Sequence, residues 1–197
     1  MSYFNSSYVS NSDLKEIMSR LSGVQKPENI QQIYDFGSAF HGGILEPHKD
    51  VPNVSDNDKQ LISRMHKTIW ADDLLRNMIL IPDFRREHEF YRENIHGVKA
   101  RCKMDGSSKM MSTILELKGL SVSTYKAFIE AVDRFDYDQG AAWYLDVTRY
   151  KQCLIAGISK KEPDRLFKLL IDRDHQMYKS GVVKIKKSVS AWKMLLG

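Results

Sequence analysis

Cysteine is nearly missing from this chain: Cys102 and Cys153 are its only two in 197 residues. Two thiols make no disulfide framework, and neither stands in a zinc-ligand spacing. Both fall in stretches that read as strands, and both are expected to be reduced residues of an intracellular protein. Long apolar runs are missing too. No stretch reaches the roughly 18 apolar residues of a helical membrane span. Met1 to Ser12 is polar, with no basic start and no apolar run, so no signal peptide is read and a cytoplasmic protein is expected. There is no G-x-x-x-x-G-K-S/T loop and no G-x-S-x-G elbow, which removes P-loop nucleotidases and α/β-hydrolases. Without an internal repeat or a low-complexity tract, a solenoid is excluded as well.

What is present is the composition of a globular protein, with 42% hydrophobic and 28% charged residues. At this length a core forms without covalent staples. A single domain is expected over 1–197, mainly helical at 1–82 and sheet-containing at 83–197. Basic residues outnumber acidic ones 30 to 25, for a formal charge of +5 and a pI near 9.1. That balance favours a polyanionic partner such as DNA or RNA, though charge alone does not identify one.

Apolar spacing predicts helices first. Ser12 reads as an N-cap, with Asp13 and Glu16 set against the helix dipole and Leu14, Ile17, Met18 and Leu21 at helical spacing. Ser22-Gly23 and Pro27 end that helix. A second covers about 28–45, with Ile33, Phe36, Phe40 and Ile44 on one face and Gly37 and His41 on the next. A third covers about 58–79, carried by Leu61, Met65, Ile69 and Leu75. After Pro82 the pattern changes. Short runs at 86–92, 98–105 and 111–118 are separated by Asn94 and Gly97, then by Gly106-Ser107-Ser108. This is the punctuation of a β-meander, with a tight turn at 106–109. A helix after Ser123, a helical piece at 138–147, strands at 151–158 and 165–171 and a lysine-rich helix at 173–195 complete the chain. The order predicts an α/β (α+β) domain whose mixed central sheet of about five strands is flanked by helices.

One constellation carries chemistry. Asp105 closes a predicted strand, and Glu116 and Lys118 lie near the end of the next. Side chains alternate along a strand, so Glu116 and Lys118 share one face while Leu115 and Leu117 enter the core on the other. Two carboxylates beside a lysine suit a hard divalent cation that keeps open positions for water and phosphate. Such an ion offsets the charge of a phosphodiester and acidifies its own water, and a lysine orients that water or stabilises phosphate charge. The spacing D-x(10)-E-x-K is short enough to arise on an exposed hairpin as a surface ion pair. The apolar flank Ile114, Leu115 and Leu117 argues instead for a buried strand, where an unpartnered Glu or Lys is costly.

The segment Gly97-Val-Lys-Ala-Arg-Cys-Lys-Met-Asp105, followed by Ile114-Leu-Glu-Leu-Lys118, resembles the catalytic hairpin of the RecE-type (exodeoxyribonuclease VIII-like) branch of the PD-(D/E)xK nucleases. Lambda exonuclease and the RecB nuclease domain are more distant relatives of that branch. Three further stretches match in the same order. Tyr8-Val-Ser-Asn-Ser-Asp-Leu14 is similar to the start of its N-terminal helix. Gly37-Ser-Ala-Phe-His41, continuing to Leu45-Glu46-Pro47, is similar to its histidine helix. Tyr137 to Asp146, with Ala141-Ala142-Trp143-Tyr144, is similar to the helix of its Gln-Tyr motif.

The resemblance implies a restriction-endonuclease-like core and a Mg2+-dependent DNA exonuclease, with Mn2+ able to substitute. It implies duplex DNA ends as substrate in recombination or phage DNA processing, in a bacterial or phage-infected cell. A single-strand annealing protein and a homo-oligomer are the partners it implies. By position, Asp105, Glu116, the Leu117 carbonyl and His41 become metal ligands, and Lys118 the catalytic lysine. Glu87 takes the place of the first-strand acid, and Glu89, of the same facing, competes with it. A lone helix histidine such as His41 is more often a hydrogen-bonded core residue, and the Gly37 to Pro47 context is what favours the ligand role. One departure stands out: Gln139 lies five residues before Tyr144 rather than four, and Gly140 holds the usual position. One residue on a helix is about 100° of rotation, which aims Gln139 elsewhere. Tyr144 is a DNA contact or a core tyrosine. Lys99, Arg101 and Lys103 alternate towards Asp105 and form either a phosphate track or a solvated strand face. Ser38 is a candidate for a terminal phosphate. Lys179, Lys184, Lys186 and Lys187 read as solvated helix surface or as a further DNA contact. The competing reading is a DNA-binding or structural protein that keeps the nuclease-like fold without cutting.

Overall fold

The computed structural model describes residues 7–23, 25, 27–48 and 50–196. Its first helix, α1 (Asn11–Ser22), is capped by Ser10, and the expected cap Ser12 lies inside it. Ser10 Oγ accepts from Asp13 N at 3.2 Å, and the Asp13 carboxylate accepts from Ser10 N at 2.8 Å. This reciprocal box satisfies two backbone donors, which the Ser12 alternative does not. Gly23, at φ +66, ends the helix in the left-handed conformation that glycine adopts at little cost. α2 (Ile30–Leu45) follows as expected.

The third expected helix is two, α3 (Asp56–Ala71) and α4 (Asp73–Leu80). Asp72 makes the break. Its Oδ1 accepts from Leu75 N at 3.0 Å and restarts the helix, while Oδ2 pairs with Lys168 Nζ at 2.6 Å. The apolar spacing runs through this point unbroken, so periodicity alone does not reveal it.

The sheet contains β1 (Phe84–Ile95), β2 (Val98–Ser108), β3 (Thr113–Leu120), β4 (Gln152–Ser159) and β5 (Leu166–Asp172), in that spatial order. Only β3 and β4 are parallel among these neighbours. Parallel neighbours need a crossover, and α5 (Tyr125–Arg134) with α6 (Tyr137–Thr148) supplies it. α7 (Gln176–Leu196) closes the fold. The architecture is the expected α+β arrangement of a mixed five-stranded sheet flanked by helices.

Gly106-Ser107-Ser108 is not a turn. These residues pair with β1 on one side and β3 on the other, and the chain reverses at Lys109–Ser112. Glycine is required at 106 for room, because a Cβ there would sit 2.1 Å from the Phe84 ring. Asp83 steadies the true turn by accepting from Ser108 Oγ at 2.9 Å and Met110 N at 2.8 Å.

The sheet separates two cores. Leu115 and Leu117 pack with Phe36, Phe40, Met65 and Ile69 from α2 and α3. On the other face Ile114, Cys153 and Ile155 pack with Phe128 and Trp143. Trp143 is wholly buried, and its indole N–H donates to Arg101 O at 2.9 Å, so the indole's one polar group is satisfied. Cys102 on β2 and Cys153 on β4 are free and buried.

Candidate functional site

The site lies where the sheet forks. β2 and β3 pair only from Ser108↔Thr113 to Gly106↔Leu115. Past that point β2 stays with β1 and β3 stays with β4. Side chains replace the missing ladder. Asp105 Oδ2 accepts from Leu117 N at 2.7 Å, and Asp105 N donates to Glu116 Oε1 at 3.3 Å. Asp105 therefore sits in mid-strand at the crotch of the fork, not at a strand end. A strand residue directs its N–H and C=O towards the same neighbour, so the Leu117 carbonyl faces this gap as well.

Four elements bring their side chains here. β3 supplies Glu116 and Lys118, on the face opposite Leu115 and Leu117. Lys118 Nζ lies 2.8 Å from Glu116 Oε2 and 3.2 Å from Asp105 Oδ2. α2 supplies His41, whose Nδ1 is 3.0 Å from Asp105 Oδ1. β1 supplies Glu87, which falls between the pairs Arg86↔Gly106 and His88↔Met104 and so stands across from Asp105. Glu87 has φ +50, a left-handed backbone inside a strand. Such conformations cost of the order of 1–3 kcal/mol and gather at functional sites. Its carboxylate is held by Lys103 Nζ at 2.6 Å. His41, Glu87 and Asp105 each offer a ligand atom within 4.8 Å of the others. Glu89 is exposed and accepts from Tyr91 Oη at 2.9 Å, outside the cluster.

Burial makes these charges interact strongly. It pushes the Glu116 carboxyl up to about 7, helped by repulsion from Asp105 and opposed by Lys118. Burial also works against an ionised Asp105, but the His41 and Lys118 charges outweigh it and hold that carboxyl well below the usual range. For Lys118, burial disfavours the ammonium while Asp105 and Glu116 favour it more, so its pKa rises. His41 rises in the same way, through Asp105. A basic side chain thus stands beside each carboxylate: Lys103 at Glu87, His41 at Asp105, Lys118 at Asp105 and Glu116. A mixed oxygen and imidazole donor set, with basic side chains that can be displaced from it, fits a divalent cation.

Two clefts open on the fork. One, of about 480 Å³, is lined by Glu116, Lys118, Tyr137 and Tyr144 with Asn11 and Lys15 of α1. The other, of about 760 Å³, is lined by His41, Glu87, Lys103 and Ser38. Tyr34 borders both. Tyr144 and Ser38 therefore reach the site region, Tyr144 half-buried and Ser38 exposed. Gln139 and Arg101 do not. Gln139 is buried, with Nε2 donating to Asn11 Oδ1 at 2.9 Å. Arg101 is buried and pairs with Asp13 Oδ2 at 3.0 Å, tying β2 to α1. Lys99 lies 3.2 Å from Glu93 on the exposed surface, and Lys103 pairs with Glu87, so of the three alternating basic residues only Arg101 is buried away from the site. Of the terminal lysines, Lys184 is gripped by Asp133, Asp136 and Asp138 at 2.9, 3.0 and 2.9 Å. Lys179, Lys186 and Lys187 are exposed.

Asn11, Lys15, Tyr34 and Tyr137 were not singled out by the sequence. Lys15 Nζ donates to Phe135 O at 2.7 Å and lies 5.8 Å from the Tyr137 ring centre, and burial lowers its pKa. Lys118 Nζ lies 5.7 Å from the same ring, so one tyrosine faces two cations. The i, i+4 spacing of Asn11 and Lys15 on a capped helix was the available signal.

No protein-family model matches the chain, and no curated protein matches it by sequence. Solved structures do. A "Putative exonuclease" from Eubacterium rectale aligns over 100% of this chain and 88% of its own, with TM-score 0.65 and 14% identity. A phage related exonuclease from Haemophilus somnus aligns over 93% and 91%, with TM-score 0.45 and 15% identity. An alkaline exonuclease from Laribacter hongkongensis aligns over 95% and 89%, with TM-score 0.44 and 12% identity. The first of these shows the fold: the chain adopts the same α+β architecture as that structure along its whole length.

Proposed function

We propose that this chain is a metal-dependent deoxyribonuclease, working as an exonuclease on duplex DNA ends. The observation that carries the reading is the convergence of His41, Glu87 and Asp105 beside the Glu116–Lys118 pair at the fork. Those first three residues, with Glu116 and the Leu117 carbonyl, would hold the ion, Mg2+ or Mn2+. Once bound, the ion supplies Lewis-acid polarisation of the phosphate and an acidified water.

The remaining roles belong to the chain. Lys118 keeps its proton, so it acts as a charged donor towards a phosphate oxygen and not as a base. Its two carboxylate partners fix the ammonium at the fork, which preorganises it before substrate arrives. Glu116, its carboxyl pushed up to about 7, is only partly ionised near neutrality and would release its remaining proton on holding a cation. Tyr144 and Tyr137 wall the cleft with aromatic surface suited to sugar or base.

Linear and closed-circular duplex DNA, digested side by side with Mg2+, test this. Loss of the linear form alone is expected, with activity abolished by chelator. Asp105→Ala and Lys118→Ala are each expected to lower the rate at least ~10²-fold, the scale of losing one preorganised electrostatic group. Wild-type rates in either folded variant would remove the site assignment. The buried, redirected Gln139 favours a second reading, a module that grips DNA without cutting. In that case DNA binds while calorimetry finds no divalent ion at millimolar concentration. A role in recombination, with an annealing protein and a ring-like oligomer, extends the first reading and is tested by sedimentation with and without DNA.

A further inference from the structure

The cleft beside Glu116 and Lys118 is walled on one side by the first turn of α1, and Asn11 is the polar residue there that meets α6. Its carboxamide is oriented. Gln139 Nε2 donates to Asn11 Oδ1 at 2.9 Å and occupies the carbonyl end of the amide. The Nδ2 end lies over Gly140, where a built Cβ would come within 3.3 Å of it. Gly140 has no side chain, so this space belongs to the cleft. Gln139 is only 3% exposed. Burying a carboxamide is costly unless its hydrogen bonds are made, and the bond Gln139 makes with its side chain is to Asn11.

We propose that Asn11 is a DNA-contacting residue of this cleft and that Gln139 is the positioning residue that aims it, through the gap left by Gly140. The ligand chemistry is an oxygen acceptor of a nucleic-acid strand, a phosphate or sugar oxygen, shared between the Asn11 amide and the Lys118 ammonium. A neutral donor adds direction without adding charge to a cleft that already holds Lys15 and Lys118. The inference rests on the nuclease reading for its choice of DNA as ligand.

Binding of a fluorescent duplex oligonucleotide in Ca2+, followed by anisotropy, tests it. Asn11→Asp keeps the size of the side chain and an oxygen for Gln139 while removing the donors that face the cleft. Asn11→Asp and Asn11→Ala are each expected to weaken binding roughly fivefold to tenfold, the worth of about one hydrogen bond. Gln139→Ala is expected to weaken binding less, and Asn11→Ala with Gln139→Ala no more than Asn11→Ala alone. Asn11→Ala with Gly140→Gln is expected to recover binding, because an amide carried from 140 enters the same space. Wild-type affinity in Asn11→Asp, multiplicative losses in the Asn11→Ala, Gln139→Ala pair, or a wild-type chain that binds no DNA would each overturn the proposal. Cleavage is scored separately in Mg2+. An uncut duplex there ends the nuclease reading, while the binding series still decides Asn11.

Discussion

Glu116 is the residue whose state depends most on what its neighbours do. Without a bound cation it shares Lys118 with Asp105 and titrates near 7, because burial and the Asp105 charge both oppose its ionisation. The sign follows. Between its ordinary value of 4.5 and about 7 the folded chain holds a proton that the unfolded chain has released. Stability from this group therefore declines as pH rises through that window and is flat above it. A divalent cation needs the ionised carboxylate, so its binding expels the proton. Mn2+ affinity, measured by calorimetry, is expected to rise from pH 6 to pH 8 with proton uptake by the buffer, roughly tenfold per unit below the Glu116 value. Glu116→Gln is expected to flatten that rise. A steep profile unchanged in the variant would place the titrating group elsewhere. At this scale the sequence was informative where chemistry is local. Asp105, Glu116 and Lys118 are linked by strand parity and one short hairpin, and both follow from spacing. Asn11, Lys15 and Tyr34 reach the site through helix packing; the i, i+4 spacing puts Asn11 and Lys15 on one helix face but does not say what that face meets.

Elements show the same division. The strands and most helices follow from alternation and apolar spacing, but breaks and turns depend on contacts from far along the chain. Gly106-Ser107-Ser108 has the composition of a turn, yet Phe84 and two flanking strands hold it extended. Asp72 has no distinctive neighbours in sequence, yet it divides α3 from α4 by serving one helix end and Lys168 of β5 together. Asp72→Ala is expected to cost about 1–2 kcal/mol, mostly the lost cap, since a partly exposed ion pair adds little. Asp72→Asn keeps a capping oxygen and is expected to recover most of that loss. Urea denaturation measures both, and equal losses in the two variants would mean the ion pair dominates. The Lys168 ion pair and the Leu75 N–H overcome partial burial and lower the Asp72 pKa. Its contribution is thus present above the usual carboxylate pKa and fades only as pH falls below about 4.

For the whole molecule, net charge is the property the sequence most easily misrepresents. A charge of +5 suggests a basic track for DNA. In the fold, Lys99, Arg101, Lys103 and Lys184 are each committed to acids of the chain itself. The cleft at the fork is lined by Lys15 and by Lys118, the latter shared with Asp105 and Glu116, beside aromatic and amide groups. Binding through such a cleft releases few counterions. The slope of log affinity against log salt is about 0.9 per neutralised phosphate, so a track of six or more contacts would give a magnitude above ~5, and this cleft about 2. Titrating a duplex oligonucleotide with the protein between ~50 and 200 mM salt separates the two. Lys15→Gln is expected to lower the magnitude by about 1, and Lys179→Gln, on exposed α7 surface, to leave it unchanged. A steep wild-type slope that falls with Lys179→Gln would instead extend the DNA path along α7, and substrate would then engage the helical face as well as the fork.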